Sequence, residues 1–463
     1  MTHVTKPVDA IQHRLADYAC NITFDNITPE AIRAAKARVV DALGALMGGF
    51  FGEPCRIARG LGATMPDPAG VAILGTRLKT APDMAAYVNG LTARYVEMSD
   101  IYHWPGSYEG HASDVISPIL AAAEHAHASG RDFITAVVLG YEIFLRISDV
   151  VGNENFDNTN FCGLAVAAAS GKLFGLSREA MAHCIAMAVV PNNALRQVRL
   201  GHISMYKAAA SGHAGRAGVF AALLARAGME GPHLPFEGKA GWCDHVAERR
   251  FVLSAMGDLS TSFKILDTRI KHRAACGTVI SSILAAEKIA PLRDFDNARQ
   301  VTVDVYKKAR DDVGSGEHRW SPQSREAADH SIPYVVAATL MDGTVTPRSF
   351  NDAHLWNPDL RALMQKIEVL EDPAFTAAYG RRPVEHRTRV TVVTASGERL
   401  SAESGGDADD QSSPKSDAQI EQKFRGFAED LLGGKRVQSL LERLWNLEGM
   451  RDVATIAPDF VLD

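Results

Sequence analysis

Apolar side chains recur every three or four positions over most of residues 1–266, which is the spacing of amphipathic helices. The clearest example begins at Thr28, a residue type that caps helices, and continues with Pro29, which is favoured at the first helical position. Its apolar residues are Ile32, Ala35, Val39, Leu43 and Leu46. The pattern predicts a helix with one buried face that ends at Gly48 and Gly49.

Small side chains are concentrated in the helices predicted in the middle of the chain. The segments concerned are residues 117–130, 131–150, 163–175, 177–190 and 208–228. Small side chains let neighbouring helices approach closely. We therefore predict a compact helical bundle rather than a layered sheet in this part.

The period of the pattern changes after residue 267. Residues 301–306 alternate between valine and polar or aromatic side chains, and a similar alternation returns at residues 389–394. A period of two predicts β-strands, and a helical segment at residues 331–340 lies between them.

We predict a mainly α protein in three parts. Residues 1–266 form a large all-helical domain, residues 267–404 form a smaller α+β lid domain, and residues 405–463 contain C-terminal helices that return to the helical domain. The polar and acidic residues 405–417 predict an exposed loop before those helices. A chain of 463 residues is too long for one ordinary core, which agrees with this division.

Composition and charge narrow the classes of function. The chain is 46% hydrophobic and 22% charged, and its net charge of −6 gives no general attraction to nucleic acid or to an anionic membrane. No apolar run approaches the roughly 18 residues that span a bilayer, and residues 1–20 lack the apolar centre of a signal peptide. The six cysteines are scattered without metal-knuckle or redox spacing, so we expect a cytoplasmic protein without an iron–sulfur cluster held by closely spaced thiolates.

The densest group of chemically active side chains lies in residues 97–114. It includes four carboxylates, two histidines, two tyrosines and a tryptophan, with a helix start at its end. Loops held between helices often carry catalytic residues. The alternative is a polar loop whose aromatic side chains are simply buried.

Within this stretch His111 is the first catalytic candidate. An imidazole near the start of a helix is biased toward its neutral form, which suits a base or a hydrogen-bond donor. Glu97 and Asp100 are three residues apart and would share a helical face, where they could orient a cation or a histidine. A structural histidine and solvated carboxylates are the alternatives.

Two sets of basic residues suit an anionic substrate. Lys207 lies between Tyr206 and three alanines, and burial there would make it a proton carrier or a counter-ion for a carboxylate. Lys271, His272 and Arg273 form a compact positive group at the start of the second domain. The alternatives are a lysine that reaches solvent and an ordinary basic surface run.

Other motifs limit the possibilities further. Residues 324–331, Ser-Arg-Glu-Ala-Ala-Asp-His-Ser, predict a helix start whose paired charges serve folding more often than catalysis. The chain contains no phosphate-binding glycine loop, no nucleophile elbow and no His-Glu-x-x-His zinc motif. These absences exclude most cofactor enzymes.

Several short stretches occur in a recognisable order along the chain. They are Asp41-Ala42-Leu43-Gly44, Gly110-His111-Ala112-Ser113-Asp114, Gly140-Tyr141-Glu142, Ser204-Met205-Tyr206-Lys207, Gly231-Pro232, Pro235-Phe236-Glu237-Gly238-Lys239, Arg325-Glu326-Ala327-Ala328-Asp329-His330-Ser331-Ile332-Pro333-Tyr334 and Lys423-Phe424-Arg425. Together they resemble the MmgE/PrpD family, which includes 2-methylcitrate dehydratase, cis-aconitate decarboxylase and iminodisuccinate epimerase. The resemblance covers almost the whole chain.

The resemblance implies a homodimer with an active site between the domains that needs neither a metal nor an organic cofactor. It implies that the acidic loop with Glu97 and Asp100 lines that site together with His111. Lys207 matches the family's lysine after Ser-Met-aromatic, and Lys271 matches its basic residue from the lid side.

Two departures from the family pattern bear on the substrate. Family members commonly have aspartate in place of Glu97 and threonine in place of Ile101. A second active-site histidine of many members falls within residues 155–160, which contain no histidine here. Asp157 or Asn158 is expected to take its place.

We predict a cofactor-independent hydro-lyase that acts on a small tricarboxylate such as 2-methylcitrate, by proton abstraction next to a carboxylate and loss of hydroxyl. In this hypothesis His111 and Lys207 handle protons. Glu97 and Asp100 position these two side chains. The predicted substrate contacts are Lys271, His272, Arg273, Tyr102 and Asp157.

Three alternatives share parts of this prediction. A decarboxylase of the cis-aconitate type and an epimerase of the iminodisuccinate type would begin from the same carbanion-like centre beside a carboxylate. A non-catalytic protein that binds a small di- or tricarboxylate is the alternative from another class.

Overall fold

The computed structural model describes residues 8–104, 106–152, 155–292, 294–406 and 413–462. The helices of the first half are α1 (Ala10–Asn21), α2 (Pro29–Gly49), α3 (Glu53–Ala63), α4 (Pro82–Tyr95), α5 (Ile116–His125), α6 (Gly130–Ser148), α7 (Thr159–Leu173), α8 (Arg178–Val189), α9 (Tyr206–Arg226) and α10 (Trp242–His245). Those of the second half are α11 (Ile280–Glu287), α12 (Lys307–Val313), α13 (Glu317–Trp320), α14 (Arg325–Ala328), α15 (Ile332–Asp342), α16 (Asp352–Leu355), α17 (Pro358–Met364), α18 (Pro373–Tyr379), α19 (Asp417–Leu432) and α20 (Gly434–Trp445). The strands are β1 (Pro66–Ala72), β2 (Lys79–Thr80), β3 (Asp100–Ile101), β4 (Arg269–Ile270), β5 (Ala298–Val305), β6 (Ile367–Glu371), β7 (Thr388–Thr394) and β8 (Arg399–Ser404). The protein is mainly α, as predicted.

Helix α2 forms where the sequence predicts it. The side chain of Thr28 accepts a hydrogen bond from the backbone N–H of Ala31, and Pro29 is the first helical residue. The helix ends at Gly49, and the predicted apolar positions Val39 and Leu43 are fully buried. Capping and periodicity together therefore predicted both ends and the buried face of this helix.

The bundle of α4, α7 and α9 depends on small side chains. A Cβ atom added to Gly212 in α9 would lie 2.5 Å from the backbone oxygen of Tyr87 in α4. Real Cβ atoms do not come that close to backbone, so only glycine fits at this crossing. The prediction of a compact bundle with close helix contacts is confirmed.

A four-stranded sheet lies in the second half, in the order β6-β5-β7-β8. β5 is parallel to β6 and antiparallel to β7, so that Val303 is paired with Val369 and Val390. The alternating valines of β5 are fully buried, and α11 packs on β7 and β8. The predicted strands at residues 301–306 and 389–394 are confirmed by β5 and β7.

The C-terminal helices return to the first half of the chain, because α19 packs on α2. The ammonium of Lys423 in α19 donates to Asp41 of α2 at 2.5 Å and to the carbonyl of Lys271 at 2.8 Å. Gly44 allows this approach, since a Cβ there would lie 3.0 Å from the ring of Phe424. The first and last motif stretches therefore contact each other. Residues 407–412 of the predicted acidic loop lie outside the described residues.

Two short antiparallel pairs that involve strands of the part expected to be all helix were not predicted. β1 pairs with β2, and β3 pairs with β4 so that Asp100 faces Ile270. β2, β3 and β4 have only two residues each, and the burial along β1 does not alternate, so no period of two could reveal them. The β3–β4 pair matters for the site, because it brings the loop after α4 next to Lys271. No helix among the described residues is long and apolar enough to cross a membrane.

Candidate active site

A cavity of about 700 Å³ opens where the helical part meets the part that contains the sheet. The helical side contributes the loop after β3 and the segment around Arg199. The other side contributes the start of α11, the α12–α13 region and His330. The lining residues with ionisable or nucleophilic side chains include His111, Asp157, Arg199, Cys276, Lys308, Arg319 and His330.

Glu97 is the centre of a buried group of charges at this cavity. It follows the end of α4, is 1% exposed, and has the left-handed φ of 55°, which costs a non-glycine residue about 1–3 kcal/mol. Its carboxylate accepts hydrogen bonds from Arg94 at 2.5 and 3.1 Å and from Lys271 at 2.8 Å, and it forms an ion pair with Lys207 at 2.8 Å. Burial alone would raise the pKa of Glu97, but the surrounding cations outweigh it and hold the pKa well below its ordinary value.

His111 lies next to this carboxylate and on the cavity wall. Its Nδ1 donates to the backbone carbonyl of Asp100 at 2.7 Å, so Nδ1 carries the proton and Nε2 keeps a lone pair. Nε2 lies 3.7 Å from Oε1 of Glu97. Burial, followed by the nearby charges of Arg94 and Lys271, lowers the pKa of His111 well below its ordinary value. His111 is therefore a neutral base at neutral pH.

Asp100 holds His111 through its backbone, whereas its side chain points elsewhere. The carboxylate accepts from the backbone N–H of Ser113 at 3.0 Å and from the hydroxyl of Tyr141 at 2.9 Å. The side chain is fully buried behind the cavity wall. Asp100 is thus placed to position His111 and not to touch a substrate, which corrects its expected place in the lining of the site.

Lys207 enters the same group of charges from the first turn of α9. Its ammonium contacts Glu97, Asp329 at 3.1 Å and Nδ1 of His330 at 3.2 Å. It is 3% exposed and lies behind Glu97 rather than on the cavity wall. The ammonium therefore does not reach solvent, and His111 and Lys207 meet at opposite oxygens of one carboxylate. We call Arg94, Glu97, His111, Lys207 and Lys271 the Glu97 cluster.

The basic run at residues 271–273 is divided by the fold. The ammonium of Lys271 is bonded to Glu97 and to the carbonyl of Ala275 at 3.0 Å. Arg273 instead donates to Glu287 at 2.6 and 2.7 Å, and both His272 and Arg273 line a different cavity. The expectation that the three residues act together is therefore corrected. Only Lys271 joins the site.

Tyr102 and Asp157, the two remaining candidates, are in different places. The Tyr102 hydroxyl donates to Asp149 at 2.6 Å and accepts from Lys264 at 3.0 Å, and the side chain is buried away from the cavity. Asp157 lines the cavity, where Arg199 donates to it at 2.5 and 3.2 Å. Asn158 also lines the cavity and donates to the carbonyl of Glu109 at 3.0 Å.

Asp329 and His330 belong to the site although their motif was interpreted as serving folding. His330 lies on the cavity wall, and its Nδ1 contacts the carboxylate of Asp329, which also binds Lys207. Burial lowers the pKa of His330, but the charges of Cys276 and Asp329 outweigh it, so the pKa is raised. The Asp-His pair in residues 324–331 was the signal available in the sequence.

Cys276 and Arg319 are further cavity residues that no motif indicated. The backbone N–H of Cys276 donates to the carbonyl of Asp329 at 2.9 Å, which places the thiol beside His330. Arg319 is 6% exposed, and its Nε and Nη1 have no hydrogen-bond partner in the described part of the chain. Its Nη2 donates to the carbonyl of Asp312 at 2.8 Å. We call Cys276, Arg319 and His330 the thiol end of the cavity.

Among the residues that the structure describes, no group of three or more His, Cys, Asp or Glu side chains is arranged to hold a metal ion. Asp157, a carboxylate of the cavity wall, forms an ion pair with Arg199.

These features define the class: a mainly helical protein with an acid–base cluster where an α+β part meets the helices. Models of the MmgE/PrpD N-terminal domain and the MmgE/PrpD C-terminal domain match residues 13–252 and 274–447. The chain therefore belongs to the MmgE/PrpD family, as its motifs indicated.

Curated relatives of two activities are similar to most of the chain. Cis-aconitate decarboxylase of Homo sapiens is 27% identical over 93% of this chain and 90% of its own length. The cis-aconitate decarboxylase of Aspergillus terreus is 24% identical over 96% and 94%. The 2-methylcitrate dehydratase of Escherichia coli (strain K12) is 25% identical over 79% and 78%. Decarboxylases and dehydratases of this kind are lyases, which supports lyase activity at the level of the family.

Proposed function

We propose that the protein is a cofactor-independent hydro-lyase that removes water from a small tricarboxylate such as 2-methylcitrate. The observation that carries the proposal is the presence of two imidazoles with opposite pKa shifts on one cavity, lowered at His111 and raised at His330. Elimination of water beside a carboxylate needs a base for the carbon-bound proton and an acid for the leaving hydroxyl. Environments that push two pKa values apart assign those two roles.

His111 is the proposed base. Its Nε2 lone pair takes the proton from the carbon next to a carboxylate, while Nδ1 remains bonded to the carbonyl of Asp100. The positive charge that develops on the ring is stabilised by Glu97, whose carboxylate is 3.7 Å away. The backbone carbonyl of Asp100 fixes the tautomer of His111, and the carboxylate of Glu97 supplies the negative charge that stabilises its protonated ring.

His330 is the proposed acid. Asp329 accepts from its Nδ1, which leaves Nε2 to donate a proton to the leaving hydroxyl. Lys207 contacts both Glu97 and Asp329, so the base and the acid belong to one charged network. In this proposal Lys207 adjusts the charges of the network and does not itself carry the proton that moves.

Cations on the cavity wall are proposed to hold the substrate carboxylates. Arg319 has two guanidinium nitrogens, Nε and Nη1, without a hydrogen-bond partner among the described residues, and a charge-assisted hydrogen bond from a guanidinium holds a carboxylate. Lys308, which contacts Asp312 at 2.6 Å, lines the same cavity. Charge that grows on a bound carboxylate during proton abstraction would be stabilised in place.

Decarboxylation of an acid of the cis-aconitate type is the second candidate. The observation that favours it is the longer match to a decarboxylase, 93% of this chain against 79% for the dehydratase. In that reaction loss of carbon dioxide leaves a carbanion-like centre, and His330 would return a proton to it. An epimerase of the iminodisuccinate type and a non-catalytic carboxylate-binding protein are further alternatives.

Incubation of the purified protein with 2-methylcitrate, cis-aconitate and iminodisuccinate separates these candidates. We expect 2-methylcitrate to give an absorbance from a new carbon–carbon double bond, without release of carbon dioxide. Release of carbon dioxide from cis-aconitate, or a change in optical rotation of iminodisuccinate alone, would overturn the proposal in favour of an alternative. Thermal stabilisation by all three acids without any turnover would support the non-catalytic protein. We also propose a homodimer, which sedimentation would test.

A further inference from the structure

One of the six cysteines differs from the others in its surroundings. Cys20 and Cys276 are half-buried, whereas the remaining four are buried. Burial raises the pKa of every one of the other five thiols. At Cys276 burial acts in the same direction, but the charge of His330 and a hydrogen bond with it outweigh burial and lower the pKa to about 7. A thiolate is therefore available at neutral pH only at this position.

The geometry around Cys276 is that of an activated thiol. Its sulfur contacts Oγ1 of Thr278 at 3.7 Å and neighbours His330, whose Nδ1 contacts the carboxylate of Asp329. A thiol, an imidazole and a carboxylate in this order form a nucleophile, a base and a group that orients the base. Both Cys276 and His330 line the cavity, so a small molecule can reach the sulfur.

Arg319 supplies a second and independent observation. Its guanidinium is more than nine-tenths buried, lines the same cavity, and leaves Nε and Nη1 without a partner. No carboxylate lies within ion-pair distance of it among the described residues. Buried donors without partners are rare in native proteins, and a guanidinium matches a carboxylate group. The end of the cavity that contains the thiol therefore has a buried guanidinium that can bind an anion.

We propose that Cys276 is a covalent modification site for small electrophiles that carry a carboxylate, with Arg319 as the group that binds the carboxylate. This inference does not depend on the proposed hydro-lyase activity. With an α,β-unsaturated acid the thiolate sulfur bonds to the β-carbon, and the electron pair of the double bond moves to the α-carbon. The imidazolium of His330 gives the proton that completes the saturated thioether, so no oxidant or further reactant is needed. Modification would fill the cavity and block it.

The charged and titratable groups that face the thiol set its response to pH. They are Glu97, Lys271, Tyr306, Arg319 and His330. Because His330 and Arg319 are the members of this set that line the cavity, an attacking anion meets positive charge. The expected preference is therefore for anionic over neutral reagents.

Iodoacetate and iodoacetamide test this preference, because they deliver nearly the same group with and without a negative charge. The intact protein is treated with each reagent at pH 7, and modified peptides are quantified by mass spectrometry. We expect Cys276 to be modified first, and iodoacetate to react about tenfold faster than iodoacetamide, as one charge-assisted contact allows. Cys20, with similar exposure, is the internal control and should react slowly with both.

Two variants separate the parts of the proposal. Arg319→Met should abolish the preference for iodoacetate while iodoacetamide still modifies Cys276, and His330→Asn should slow both reagents. Maleate should add its full mass to Cys276 in the wild type, and neither reagent nor maleate should modify that position in Cys276→Ser. Unfolded protein, in which all six thiols react alike, calibrates the rates.

Three results would overturn the proposal. They are modification of Cys276 no faster than Cys20, an unchanged preference for iodoacetate in Arg319→Met, and no maleate adduct on the folded wild type. Circular dichroism of each variant confirms that it is folded. Because the readout is a mass on one peptide, the result stands whether or not the protein dehydrates 2-methylcitrate.

Discussion

The Glu97 cluster reaches the cavity through His111, and the thiol end lines the same cavity, but the two regions differ in how their charges are paired. In the Glu97 cluster Arg94, Lys207 and Lys271 each contact the same carboxylate. At the thiol end Arg319 is equally buried, yet two of its nitrogens have no partner. Buried charges are costly unless they are paired, and each cation of the Glu97 cluster has a carboxylate partner in the free protein, whereas Arg319 has none among the described residues. The difference indicates that the charges of the Glu97 cluster set the pKa values of Glu97 and His111, whereas Arg319 at the thiol end is arranged to bind an anion.

The largest expected effect tests whether both regions are needed for chemistry. His111→Asn removes the proposed base beside the Glu97 cluster, and His330→Asn removes the proposed acid at the thiol end. Each should lower kcat for 2-methylcitrate by about 10²–10⁴-fold, the usual contribution of a general acid or base. The measurement is the rate of double-bond formation at saturating substrate.

His233→Asn provides the matched control, because His233 is exposed and lies away from this cavity. Its kcat should equal that of the wild type. If His330→Asn keeps full activity while His111→Asn loses it, the acid is not at the thiol end and the assignment of roles fails.

The next largest effect compares the stability of the two regions. Glu97→Gln leaves three buried cations around a neutral amide and should lower the free energy of unfolding by about 3–5 kcal/mol. Arg319→Met replaces a buried, unpaired guanidinium by an apolar side chain of similar length, and it should change stability by less than about 1 kcal/mol or increase it. Urea unfolding of both variants measures the difference. Equal losses would show that the two regions are not electrostatically different.

The sequence predicted the residues of the Glu97 cluster better than those of the thiol end. His111, Glu97 and Lys207 lie in motif stretches with recognisable composition, and the fold brings them together. Lys271 was grouped with Arg273 because the two are close in sequence. They separate because the chain leaves the extended conformation after β4 and bends at residues 273–275, so that Lys271 reaches Glu97 while Arg273 reaches Glu287. Charge runs in a sequence do not show such a division.

Arg319 and Cys276 could not be found in the same way. Their importance comes from their surroundings in the folded chain. Arg319 has two guanidinium nitrogens without a hydrogen-bond partner among the described residues, and Cys276 has a neighbouring imidazole. Neither is a property of spacing or periodicity. The helices and the β5–β7 pair, in contrast, follow from caps and from local periods, which the sequence contains in full.

A smaller effect concerns substrate binding at Arg319. Loss of a charge-assisted contact to a carboxylate costs about 1.5–3 kcal/mol, so Arg319→Met should raise KM for 2-methylcitrate roughly 10–100-fold. kcat should fall much less, because the proposed base and acid are unchanged. Arg319→Lys should recover part of the binding, since a point charge replaces the planar fork. An unchanged KM in Arg319→Met would remove Arg319 from the proposed substrate site.

The smallest effect is the pH dependence that the Glu97 cluster gives to stability. The pKa of His111 is lowered on folding, so the unfolded chain binds a proton more readily below its ordinary pKa of about 6.5. The contribution of His111 to stability is therefore fully present above that pH and is lost as the pH falls below it. The difference in free energy of unfolding between the wild type and His111→Asn should decrease by about 1 kcal/mol from pH 7.5 to pH 5.5. His233→Asn should show no such trend. A difference that grows toward low pH would mean that His111 is charged in the folded protein. The contrast between the Glu97 cluster, with its neutral base, and the cationic thiol end would then fail.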